Sequence, residues 1–160
     1  MTVTAAPNAT ASLSERIAQL PWTQLANDLD ASGMARVAGL LSLGECAQLA
    51  ASYADAALFR SRIVMSQHGF GCGEYQYFGY PLPALVQQLR ANLYPPLAQI
   101  ANRWHEALRL PARFPAAHAA FIKRCHDAGQ TRPTPLLLKY GSGDFNEATR
   151  MSRPTSELRN

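Results

Sequence analysis

The chain has 160 residues and a mass of 17.5 kDa, is 48% hydrophobic and 16% charged, and carries a net charge of +4. That length suits one domain with a core of its own, and the composition excludes a wholly disordered chain. No apolar run approaches the roughly 18 residues a membrane span needs, and the basic residues lie dispersed along the sequence, so neither a membrane nor a nucleic-acid partner is expected.

Three cysteines, Cys46, Cys72 and Cys125, form no C-x-x-C pair. They argue against a disulfide framework or a structural zinc site and fit a reduced, cytoplasmic setting. The opening MTVTAAPNATAS lacks the basic and apolar regions of a secretory signal, and residues 1–11 read as a disordered tail.

Taken in chain order, residues 12–20 predict a short helix, with Leu13, Ile17 and Leu20 at helical spacing. Pro21 opens a second helix through Ser32, with Gly33 as its stop. MARVAGLL, residues 34–41, is strand-like. Ser42 and Glu45 have capping-box spacing, so residues 42–59 predict a well-capped helix. FRSRIVM and EYQYF read as strands around a glycine-rich segment. Helices return over residues 83–108, interrupted at Pro95-Pro96, and over residues 114–129, ending at Gly129. PLLLKY is a short strand with GSGDFN as a polar turn. Residues 147–160 lose all periodicity.

Few side chains stand out for chemistry. His105, His118 and His126 fall in or near helices and read as structural or exposed, whereas His68 sits in a glycine-rich loop between strands, where function concentrates. No H-x-D, H-E-x-x-H or H-x-H pair exists, so neither a catalytic residue nor a metal ligand is assigned. GFGCGEY lacks the Lys-Ser/Thr of a phosphate loop. On EYQYF, Tyr75 and Tyr77 face one way and Glu74, Gln76 and Phe78 the other. The aromatic face either lines a ligand pocket or packs in a core.

PTPLLLKYGSGDFN resembles the first core strand of an Fe(II)/2-oxoglutarate-dependent dioxygenase of the prolyl-hydroxylase-like kind. LLSLGECAQL, GEYQYF with YPLP, LYPPLAQIANRW and CHDAGQTRPTPLLLKY resemble a bacterial subgroup of it, and the likeness covers residues 34–146. It implies that Tyr140 helps hold 2-oxoglutarate, with Gly143 and Asp144 in the following turn. The iron-binding His and Asp would then stand at positions 149 and 151, where this chain has Thr149 and Met151. One codon choice for residues 147–151, read in a shifted frame, encodes Gly-His-Gln-Asp. Residues 147–160 are therefore expected to be a non-family tail left by a frameshift or a shortened gene.

The resemblance implies an α+β fold. A helical support layer with a few strands over residues 12–146 would form the front of an incomplete double-stranded β-helix, the jelly-roll or cupin core. The strand LLLKY would lack sheet partners, and poor solubility would follow. The family's reaction hydroxylates a C–H bond of a proline-like, small-molecule or peptidyl substrate with Fe(II) and 2-oxoglutarate, and with ascorbate as a candidate reductant. His68, Glu74, Tyr75 and Tyr77 become substrate-side candidates by position. As written the chain would be inactive and bind neither cofactor. Two alternatives are a non-catalytic α-rich binding module and an unrelated helical domain.

Overall fold

The computed structural model describes residues 11–146. The expected tails, residues 1–11 and 147–160, lie almost wholly outside them. Five helices, α1 (Leu13–Ala18), α2 (Trp22–Ser32), α3 (Leu43–Ser52), α4 (Ala84–Ala107) and α5 (His118–Asp127), accompany five strands: β1 (Phe59–Val64), β2 (Gly71–Cys72), β3 (Glu74–Phe78), β4 (Leu136–Lys139) and β5 (Phe145–Asn146). The fold is thus mixed helix and sheet, in two compact units. Among the described residues, one comprises residues 11–49 and 83–131, the other residues 50–82 and 132–146.

The first unit is helical. Ser12 caps α1, and Glu15 reaches back 2.8 Å to the Ser12 N–H, completing a capping box. Ser42 and Glu45 form the expected second box: the Ser42 N–H donates to Glu45 Oε2 at 2.8 Å and the Glu45 N–H to Ser42 Oγ at 3.2 Å. Gly33 ends α2 with φ +69, a left-handed conformation that glycine adopts without steric cost. Leu13, Ile17, Leu20, Leu25, Ala26, Val86, Ala98 and Ile100 are buried.

Three features depart from the sequence reading. α4 does not break at Pro95-Pro96 but runs through both. The prolines lie beside Ile17 and Trp22 around a cavity of about 280 Å³ that Ser14, Asn92 and Gln99 also line, and packing of α1 against α4 outweighs the two helix bonds they forgo. Residues 34–41 form no strand. Met34 is exposed and Gly39 takes φ +67, so the apolar run has no ladder to join. The third helix stops at Ser52, and only a short 3₁₀ turn, Ala56–Leu58, follows.

The second unit holds the sheet, antiparallel in the order β1-β3-β4, with β2 and β5 paired separately. β4 therefore has a sheet partner, contrary to expectation: Leu136 opposes Tyr77, Leu138 opposes Tyr75 and Lys139 opposes Glu74. Its apolar residues find β3 beside them, and the predicted unpaired strand does not arise. GSGDFN is not all turn, because Phe145 and Asn146 pair with Cys72 and Gly71.

Candidate functional site

The two faces of the three-stranded sheet differ in chemistry. On one face Phe78 is 1% exposed, and its ring stacks on Phe59 at 4.7 Å, with Tyr53 next to Phe59 at 5.9 Å. Gln76 is buried beside them and donates to the Tyr53 carbonyl at 2.9 Å. This is the unit's packed side.

Glu74 closes the same face. Arg62, diagonal to it across β1, donates from Nε at 2.7 Å, and Lys139, directly opposite, places Nζ at 3.5 Å. The Arg62 guanidinium, with Lys139 adding to it, holds the Glu74 carboxyl below the usual carboxylate range. Lys139 also lies 5.4 Å from the Tyr53 ring centroid. The Tyr53 hydroxyl is shut off from solvent without a hydrogen-bond partner of good geometry among the described residues, and burial followed by the Glu74 charge pushes its pKa up.

The other face carries Tyr75 and Tyr77, both half-buried, with Leu136 and Leu138 opposite them on β4 and Ile63 opposite Tyr75 on β1. The tyrosine rings meet edge to face at 5.6 Å and 83°. The β1–β3 register slips between Phe59 and Ser61, and this bulge re-aims Arg60. Its guanidinium carbon stands 4.6 Å above the Tyr77 ring centroid, and its Nε donates to the Pro133 carbonyl at 3.3 Å. Leu138 is 50% exposed. The result is an open surface of two π faces, aliphatic side chains and one fixed guanidinium, which suits a flat aromatic ligand.

The five sequence candidates thus part company. Tyr75 and Tyr77 share this open face. Glu74 points to the packed side, engaged by Arg62 and Lys139. His68 ends a 3₁₀ turn, Met65–His68, and stacks on Phe70 at 5.6 Å. Tyr140 lies just past β4, 44% exposed, with its ring over Gly73: a Cβ built on Gly73 would come 2.8 Å from Tyr140 Cδ1. Gly73 has φ +125, so the residue type serves both the backbone and the ring. Gly143 and Asp144 form the expected turn, and Asp144 Oδ2 accepts from the Gly141 N–H at 2.7 Å. Arg60 and Tyr53 escaped the sequence reading. The bulge that aims Arg60 has no period-2 signature, and Tyr53 follows a helix rather than a strand.

Among the described residues no three His, Cys, Asp or Glu side chains come together to hold a metal. His105 Nδ1 lies 2.8 Å from the Ala112 carbonyl and its ring 5.0 Å from Phe114; His118 lies against Tyr94 at 5.2 Å. Burial, with Arg90 nearby, lowers the His118 pKa. The described residues do not fit an iron centre. No helix among them is long and apolar enough to cross a membrane.

A family model described as "Oxygenase, catalysing oxidative methylation of damaged DNA" matches residues 73–153, about half of the chain. Two uncharacterized proteins from two strains of Mycobacterium tuberculosis are each 42% identical to it over 69 residues, 43% of this chain and 30% of theirs. The chain thus matches less than a third of the length of these relatives. No solved structure matches.

These matches correct two expectations. The prolyl-hydroxylase-like assignment gives way to the DNA-directed oxygenase family. A strand ending in Tyr followed by a Gly-Asp turn is too short a pattern to separate one oxygenase family from another. The absence of a nucleic-acid partner is overturned as well, since the matched family acts on damaged DNA. The charge is also less dispersed than it looked: residues 103–132 hold six Arg and Lys against two acids, as large an excess as the whole chain's +4.

Proposed function

We propose a damaged-DNA substrate for this chain, on the premise that it belongs to the oxygenase family whose description is the oxidative methylation of damaged DNA. The observation that carries the reading is the open face of the sheet. Tyr75 and Tyr77 offer aromatic surface in two orientations, and Arg60 is held above one ring. Bases turned out of a duplex, or lying in a single strand, are received by stacking on aromatic side chains and guanidinium planes. We assign Tyr75 and Tyr77 to the substrate side, with Arg60 and Leu138 beside them.

Fe(II) and 2-oxoglutarate are the cofactors proposed for the family's reaction, with Tyr140 near the co-substrate. The described residues do not supply the ligands that the iron would need. The sheet is proposed as the front of a jelly-roll core, and the cytoplasm as the compartment, in keeping with cysteines that form no disulfide.

Binding tests the assignment without requiring turnover. A short labelled single strand carrying one alkylated base is titrated with the full chain. Tyr75→Ala and Tyr77→Ala each weaken binding by about 1–3 kcal/mol if a base stacks there. Unchanged affinity in both variants would remove the sheet face from the substrate path.

A further inference from the structure

The end of α4, the turn after it and the second half of α5 gather cations that the sheet site does not use. Arg103, Arg109, Arg113, Lys123 and Arg124 all belong to the helical unit and are exposed. Two are neutralised, Arg103 by Asp30 at 3.1 Å and Lys123 by Asp127 at 2.7 Å. Arg109, Arg113 and Arg124 face no carboxylate within ion-pair distance among the described residues.

Two of these three are held in place. Arg113 Nη1 donates to the Ala112 carbonyl at 3.0 Å and also to that of Leu110. Arg124 Nη1 donates to the Arg113 carbonyl at 2.7 Å, and its guanidinium lies 5.6 Å from the Phe121 ring centroid and 6.0 Å from that of Phe114. Each guanidinium commits only Nη1 to backbone carbonyls, two for Arg113 and one for Arg124, and the N–H groups of Nε and Nη2 stay available. Such a pre-set fork matches the paired oxygens of a phosphate.

The third arginine sits where α4 ends. Arg109 has φ +55, the left-handed region that non-glycine residues seldom occupy. Its neighbours Leu108 and Leu110 are 69% and 43% exposed. The turn is a Schellman cap: the Arg109 N–H donates to the Glu106 carbonyl at 3.0 Å and the Leu110 N–H to the His105 carbonyl at 2.8 Å, so the ending of α4 itself sets Arg109 between two exposed leucines.

We propose that Arg109, Arg113 and Arg124 form a contact surface for the phosphate backbone of DNA, separate in sequence from the face that carries Tyr75 and Tyr77. The inference rests on the DNA-substrate reading and adds to it where the backbone is held. Phosphate contacts position a nucleic acid without reading its sequence, so the surface should take damaged and undamaged DNA alike.

The test is anisotropy of a labelled undamaged duplex with the full chain, over about 50–200 mM salt. Arg113→Ala, and Arg109→Gly separately, each reduce the salt slope by about 1 and weaken binding on the order of threefold at low salt. Glycine suits the local φ, so Arg109→Gly keeps the helix ending, and an unchanged thermal midpoint separates a lost phosphate contact from unfolding. Arg124→Lys keeps the charge but loses the fork, and falls between wild type and Arg124→Ala. If the wild-type chain binds no DNA, damaged or undamaged, both this surface and the DNA reading are overturned. If it binds with a slope that all the arginine variants leave unchanged, only the surface is overturned. Binding to phosphatidylglycerol vesicles but not to DNA would reassign the turn to a membrane.

Discussion

Arg16 grips Glu45 with both ends of its guanidinium, Nη2 to Oε1 at 2.6 Å and Nη1 to Oε2 at 2.9 Å, while Nη1 also reaches the Leu40 carbonyl. The Arg16 side chain is nearly shut off from solvent. Glu45 is also the returning half of the capping box that starts α3, so one carboxylate joins α1 to the segment that opens α3. Hydrogen bonds from Arg16, then from the Ser42 N–H, lower its pKa from 4.5 to about 2. A folded-state pKa below the unfolded one adds stability that is complete above about pH 4.5 and is lost as pH falls through about 2. Urea unfolding measured across that window should show this loss, and Glu45→Gln should flatten the profile. Identical profiles for the two proteins would show that the pair does not couple stability to pH.

The two faces of β3 should respond to truncation differently. Phe78→Ala opens a cavity against Phe59 and should cost about 3–5 kcal/mol of stability. Tyr77→Ala removes a half-buried ring from the open face and should cost clearly less, while carrying the loss of DNA affinity. Chemical denaturation of both variants checks this. Equal destabilisation would mean that the Tyr77 face is packed after all.

Gly73 and Tyr140 should be coupled. Gly73→Ala sets a Cβ against the Tyr140 ring and forces φ +125 on a residue that avoids it, costing about 1–3 kcal/mol. Adding Tyr140→Ala relieves the steric part and leaves the backbone part. A double-mutant cycle with no interaction energy would show that the ring does not rest on Gly73.

Much of this was legible in the sequence because it is local. The Ser42–Glu45 box, the Gly33 stop and the strand EYQYF each depend on neighbours a few residues apart, and each forms. The alternation of β3 also separated Tyr75 and Tyr77 from Glu74, Gln76 and Phe78. What could not be read depends on distant partners. Pro95 and Pro96 remain helical beside Ile17 and Trp22. Leu136–Lys139 is not stranded, because β3 lies some sixty residues earlier in the chain. The apolar run at residues 34–41 looked like a strand until no partner was there to pair with it. Arg60 joined the site through a bulge, and the arginines of the turn after α4 appeared dispersed until the helical unit set them side by side.

Metal binding should follow the donor set. With no three-ligand cluster among the described residues, anaerobic calorimetry of the full chain with Fe(II) should show no tight stoichiometric site. A one-to-one site of micromolar or better affinity would overturn that reading of the ligands and require a centre built from residues outside those described.

The most direct test of the central claim compares one labelled single strand in two forms, with and without a single alkylated base, titrated with wild-type chain and with the Tyr75→Ala/Tyr77→Ala double variant. The account predicts that the wild type binds the alkylated strand more tightly and that the double variant loses this preference while keeping its fold by circular dichroism. A double variant that retains the full preference, or a wild type that binds neither strand, would contradict it.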